Sequence, residues 1–135
     1  MNNINYINRT EFMEPRQGEI YLAKLCETDN VGCEIQKARP VLILSGDLHN
    51  RERDMVFVVP LSKIDTKKVV DVSLSVIIEA NKSNGLSNDS ITVVEQAKSI
   101  SKQRLRRYLG VENRKVLNEV YKTLLRYCDI NVLYL

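Results

Sequence analysis

The 135 residues include no tryptophan, one histidine and three cysteines, and aromatic side chains make up only 6% of the chain. A lone imidazole, His49, with Cys26, Cys33 and Cys128 at no metal-ligand spacing, argues against a Cys/His zinc framework. An odd cysteine count also argues against a disulfide scaffold and points to a reducing compartment, the cytoplasm. No run of about eighteen uncharged apolar residues occurs, so no membrane-spanning helix is expected. The opening stretch MNNINYINRTEFMEP has no apolar signal-peptide core, which argues against secretion by that route. There is no Gly-rich phosphate loop, His–carboxylate metal cluster or Gly-x-Ser-x-Gly elbow, and no cysteine has an evident base beside it. These absences leave no metal and no cofactor to expect.

What is present is ordinary globular material: 44% apolar and 27% charged residues, enough for one core, in a length that suits one domain. Residues 1–15 are polar and aperiodic and read as an N-terminal arm, with a single domain over 16–135. The net charge of +3 hides a gradient. Between Ser101 and Asp129 eight basic residues face three acidic ones, a local excess of five that leaves the remainder at −2. Such a region attracts phosphates or an acidic protein segment, or is simply a solvated helix face.

Gly18 permits a turn into Glu19–Leu25, where Ile20 and Leu22 alternate with polar or amphipathic neighbours as in a half-buried strand. Pro40–Leu44 is a short apolar run, a buried strand with Pro40 at its start. Gly46–Asp54 reads as a charged turn, and Met55–Leu61 as a strand closed by Pro60. Val69–Ile78 alternates most cleanly of all, Asn84-Gly85 marks a turn, and Ser90–Gln96 supplies a fifth strand. Ser101 is placed to cap a short helix over Arg104–Tyr108 that Gly110 would end. From Asn113 the apolar residues Val116, Leu117, Val120, Tyr121, Leu124 and Leu125 form one stripe of an amphipathic helix. The expectation is an α+β, mainly β fold: a small, strongly bent antiparallel sheet or barrel carrying a short helix and a C-terminal amphipathic helix.

Chemistry-bearing residues gather at strand ends. Arg39 precedes one buried strand, Ser62-Lys63 follows another, and Glu95-Gln96 ends a third. On one rim of a small barrel, Arg39, Ser62, Glu95 and Gln96 would hold a phosphate through a guanidinium fork and a hydroxyl. Arg39 could equally pair with Glu34 in a purely architectural role. A Ser62–His49 nucleophilic pair is a weaker alternative, with no orienting carboxylate in view.

At these residues the sequence resembles the MazF/PemK family of toxin endoribonucleases. Arg16-Gln17-Gly18-Glu19-Ile20-Tyr21 is similar to the family's opening R-x-G-[DE]-[IV]-[WY] strand, and Gly32-Cys33-Glu34 to its Gly-Ser/His-Glu loop. Ala38-Arg39-Pro40-Val41-Leu42-Ile43 resembles its x-R-P-V-[VL]-[IV] signature, and Val58-Val59-Pro60-Leu61-Ser62 the end of V-x-V-x-P-[LV]-T. Asp89 to Ile100 resembles D-S-[VI]-x-[LV]-x-[DE]-Q-x-[RK]-T-[IV].

The resemblance implies an SH3-like barrel of MazF/CcdB type, usually a homodimer, whose groove takes single-stranded RNA or the acidic tail of a cognate antitoxin. It implies metal-independent, sequence-selective cleavage of mRNA, with Arg39 and Ser62 at the catalytic positions. Cys33, Glu34, Gln36, Lys37, Glu95 and Gln96 fall where the family approaches RNA or assists the reaction. Ser62 stands for the usual threonine, Cys33 for a serine or histidine, and Gln36-Lys37-Ala38 for a Gly-rich or His-bearing stretch. With no histidine there, Glu34 and Glu95 are the candidate proton acceptors, and a carboxylate does that work near neutrality when its pKa is raised. Two other readings compete. One is a non-enzymatic CcdB-like toxin that binds a topoisomerase, a group without the Arg-Pro and Ser/Thr pairing. The other is a plain nucleic-acid-binding barrel, disfavoured by the scarcity of aromatics for stacking bases.

Overall fold

One nine-residue strand organises the molecule because three neighbours share its two edges. In this computed structural model, which describes residues 14–25, 38–67 and 73–131, the strands are β1 (Glu19–Ala23), β2 (Arg39–Ile43), β3 (Met55–Lys63), β4 (Ile77–Ile78), β5 (Ser90–Thr92), β6 (Lys98–Ser101) and β7 (Leu105–Val111). The helices are α1 (Asp47–Glu52) and α2 (Arg114–Tyr127). All pairings are antiparallel, in the order β4-β5-β3-β2-β1-β7, with β6 on the remaining stretch of β3. Along one edge of β3, Met55–Val58 pairs with β6 and Leu61–Lys63 with β5. Serving two partners in succession bends the strand, and the sheet curls into a half-barrel, the strongly bent antiparallel sheet of an α+β, mainly β fold.

Alternation along the strands sorts side chains into two cores, one on each face of the sheet. Tyr21, Ala23, Val41, Ile43, Val56 and Val58 join Ile100 and Leu105 inside the curl. Ile20, Leu42, Leu44, Val59 and Leu61 face the other way and pack with Ile78 and with Leu117 and Val120 of α2. Burial on both faces explains why β2 and β3 read as continuous apolar runs. The α2 stripe is the one expected, and the Asn113 side chain caps the helix by accepting from the Val116 N–H at 2.9 Å. Gly18 turns the chain into β1 with φ of 90°.

Several boundaries differ from the sequence reading. β3 continues through Pro60 to Lys63. The Leu44 N–H donates to the Phe57 carbonyl, so Val59 and Leu61 also face β2 with their polar backbone groups, and the nitrogen of Pro60 points to the opposite edge. There the partner changes from β6 to β5, so the missing N–H interrupts no ladder. Gly46–Asp54 holds the helical turn α1, fastened by the buried Asn50, whose side-chain amide donates to the Ser45 carbonyl at 2.9 Å. Of Val69–Ile78, residues 69–72 lie outside the described residues and only Ile77–Ile78 forms a strand. Val76 is tied to Thr92 through the Thr92 hydroxyl and the Val76 carbonyl instead.

The largest correction lies between Thr92 and Gly110. β5 stops at Thr92, Val94–Gln96 is a single 3-10 turn, and an unanticipated strand, β6, follows. The Ser101 hydroxyl does cap, accepting from the Gln103 N–H, but what it caps is the 3-10 turn Lys102–Arg104. Arg104–Tyr108, expected as helix, mostly belongs to β7, which covers the edge of β1. Tyr21 and Tyr108 meet across that pairing edge to face, with ring centroids 5.5 Å apart.

Burial, reinforced by the Glu19 carboxylate that accepts from its hydroxyl at 3.1 Å, raises the Tyr21 phenol well above its ordinary pKa. The folded chain therefore binds this proton more tightly than the unfolded one. The associated stability is complete below the ordinary phenol value of about 10 and is lost as pH climbs beyond it. Tyr21→Phe is expected to flatten the decline in unfolding free energy above about pH 10, as read by denaturant titration. An equally steep decline in the variant would assign the alkaline loss to other groups.

Candidate functional site

Arg39 opens β2 and Ser62 is the penultimate residue of β3. The β2–β3 register pairs Val41 with Pro60, and continuing it by two residues sets Arg39 opposite Ser62. Residues opposed across an antiparallel pair share a face, with Cβ atoms about 5 Å apart. The shared face here is that of Val41 and Val58, so a guanidinium and a hydroxyl stand together at one end of the half-barrel's inner core. Both residues are half-buried. Neither side chain makes a hydrogen bond or ion pair among the described residues, which leaves their donors free.

Glu95 and Gln96 lie in the 3-10 turn where β3 changes partner. The Val93 N–H donates to the Pro60 carbonyl at 2.9 Å, which fastens this turn beside β3 two residues short of Ser62. Val94 is buried beneath it, while the Glu95 and Gln96 side chains are exposed. Continuing the β3–β6 register from Val58 and Lys98 brings Gln96 level with Pro60. The turn thus lies beside β3 two residues along from the Arg39–Ser62 pair, while Ile91 of β5 is the neighbour of Ser62 on that edge. Cys33, Glu34, Gln36 and Lys37 lie outside the described residues, as does any Arg39–Glu34 pair.

His49 belongs elsewhere. It sits on α1 with Nε2 at 3.1 Å from the Met55 carbonyl, at the start of β3. Ser62 is seven residues further along that strand, roughly 23 Å away, so a Ser62–His49 pair does not form. Much of the basic segment is also committed: Arg104 donates to the Lys24 carbonyl, Arg106 to that of Gln103, and Arg126 to that of Ser73. Arg114 donates to the Gln17 side chain and Lys122 pairs with Glu119. Arg107 is different, standing with Lys63 around a cleft on the opposite face of the sheet. Lys63 was visible as the neighbour of Ser62, but a helical reading of Arg104–Tyr108 hides its relation to Arg107.

Residues 16–127 match the family model described as PemK-like, MazF-like toxin of type II toxin-antitoxin system. Endoribonuclease EndoA of Bacillus subtilis is 32% identical over 91 residues, which span 67% of this chain and 73% of that protein. Endoribonuclease MazF of Staphylococcus saprophyticus is 30% identical over 106 residues, 78% and 83% of the two chains. Among solved structures, a mycobacterial endoribonuclease in complex with its cognate antitoxin shares the fold. It has a TM-score of 0.63 at 20% identity and covers 87% of this chain and 96% of that one. With a family match that takes in β1 through α2 and the strand ends bearing Arg39 and Ser62, the chain belongs to the PemK-like, MazF-like toxins of type II toxin-antitoxin systems.

Proposed function

We propose that this protein is the toxin of a type II toxin-antitoxin pair, a cytoplasmic, sequence-selective endoribonuclease that cuts single-stranded mRNA without a metal ion. The observation that carries the reading is the cross-strand juxtaposition of Arg39 and Ser62, unengaged by other described residues, in a chain of this family. RNA contains its own nucleophile. The 2′-hydroxyl attacks the adjacent phosphorus, the bond to the 5′-oxygen breaks, and a cyclic 2′,3′-phosphate and a free 5′-hydroxyl result. The protein's task is to hold the linkage in line for attack and to stabilise charge growing on the phosphoryl oxygens. Arg39 supplies a permanently charged planar fork for that charge and Ser62 a rotatable hydroxyl donor.

Glu95 and Gln96, on the neighbouring turn, contact the RNA, and Glu34 or Glu95 takes the 2′-hydroxyl proton. Cys33, Gln36 and Lys37 complete the RNA contacts and tune which sequence is cut. A cognate antitoxin occupies the same region through an acidic segment, and two copies form a homodimer. Leu48 and Met55, 67% and 43% exposed, are the kind of uncovered apolar side chains that a second copy buries.

Incubating the protein with a long RNA in excess EDTA separates the readings. Cleavage at defined sequences, with cyclic phosphate and 5′-hydroxyl ends, is the expected result. Binding without scission would leave a plain nucleic-acid-binding barrel. Intact RNA together with inhibition of a topoisomerase would favour the CcdB-like alternative.

A further inference from the structure

On the face of the sheet away from Arg39 and Ser62, a cleft of about 280 Å³ opens at the same strand ends. Its floor follows from register. Arg107 pairs with Leu22, Leu22 pairs with Pro40, and continuing the β2–β3 register sets Pro40 opposite Leu61. This row crosses four strands, and Leu86 closes it from the loop before β5. Lys63, two residues beyond Leu61, stands on one side and Arg107 on the other, their backbones about 16 Å apart over three strand spacings and two residues of rise. Both cations are exposed and make no ion pair among the described residues, and no described Asp or Glu lines the cleft. An aliphatic floor between two free cations, with the Asn88 amide at its margin, suits a nucleobase held between backbone phosphates.

We infer that Lys63 and Arg107 form a second RNA-binding subsite, which takes nucleotides next to the scissile linkage as the strand passes over the sheet's rim. Lys63 directly follows Ser62 and Pro40 directly follows Arg39, so the two sites lie back to back across the same residues of β2 and β3. An antitoxin's acidic segment would also meet these cations. Adjacency to the proposed cleavage point favours RNA, and for that adjacency the inference rests on the endoribonuclease reading.

Its test uses the full chain and a single-stranded oligoribonucleotide whose 2′-hydroxyls are methylated, so that binding is measured without cleavage. Lys63→Ala combined with Arg107→Ala is expected to weaken binding roughly tenfold at moderate salt. It should also reduce the slope of log affinity against log salt by about 1.4, the share of two single-strand phosphates. With cleavable RNA the same change should raise KM and leave kcat within about twofold. Lys63→Arg with Arg107→Lys should restore both readouts. Arg51→Ala with Lys115→Ala removes equal charge from α1 and α2 and should leave the salt slope unchanged.

An unaltered slope in the cleft variant, or an equal loss in the control pair, would overturn the assignment. So would a defect confined to inhibition by an acidic antitoxin peptide. If the wild-type chain bound the oligonucleotide through this pair but cut no RNA, the endoribonuclease reading would fall and the subsite would stand.

Discussion

Arg39→Ala is expected to lower RNA cleavage by a few hundredfold, about 3–4 kcal/mol of transition-state stabilisation, while the protein remains folded. Arg39 is half-buried at the start of β2 and its side chain forms no hydrogen bond or ion pair within the described chain, so its removal leaves no orphaned partner there. Most of the effect should fall on kcat, because charge on the phosphoryl oxygens grows as the 2′-oxygen attacks. Arg39→Lys keeps the charge but loses the planar fork, and should recover only part of the rate. Single-turnover cleavage alongside thermal unfolding reads both quantities. Full activity in a folded Arg39→Ala protein would remove this residue from the chemistry and, with it, the reason for pairing it with Ser62.

Gly110→Ala should destabilise the fold by about 3 kcal/mol or more. β7 lies against the backbone of the turn 81–85 at this point, with the Val111 N–H donating to the Ser83 carbonyl at 2.9 Å. A Cβ on Gly110 would overlap the Ser83 carbonyl oxygen and lie 2.6 Å from the Asn84 carbonyl carbon. Those are backbone atoms and cannot rotate aside. The contact is reciprocal, since a Cβ on Gly85, whose φ is +68°, would overlap the Leu109 carbonyl oxygen. Asn84 itself is buried and donates to the Glu112 carboxylate at 3.1 Å, so the turn has little room to retreat. Urea denaturation should show the lower midpoint. A variant as stable as the parent would mean that the turn and β7 separate without cost.

Where one face of an element meets one core, the pattern was legible. The stripe of α2 and its Asn113 cap are local features of an amphipathic helix, and β1 to β3 are apolar runs that only a buried sheet accommodates. β7 departs from the sequence expectation for a traceable reason. Its pairing with β1 shifts register between Ile20 and Tyr21 and again between Leu22 and Ala23. Each shift inserts an unpaired residue and breaks the period of two, so Arg104–Tyr108 mimics a helix with a cap before it and a glycine after it. Of the Val69–Ile78 alternation, Ile78 is buried and Val76 half-buried but Leu74 is exposed, and among the described residues only Ile77 and Ile78 find a strand partner.

The side-chain types of the proposed site are readable in the linear chain: a permanent cation before one apolar run, a hydroxyl after another and an acid–amide pair after a third. Their arrangement is not. Arg39 and Ser62 are 23 positions apart, and whether they meet depends on the β2–β3 register, since a one-residue slip would turn one of them to the opposite face. Strand alternation separates Ser62 from Lys63, consecutive in sequence yet on opposite faces of the sheet. Side-chain chemistry is a property of each residue, whereas side-chain company is set by backbone hydrogen bonds between distant strands, and those exist only once the chain has folded.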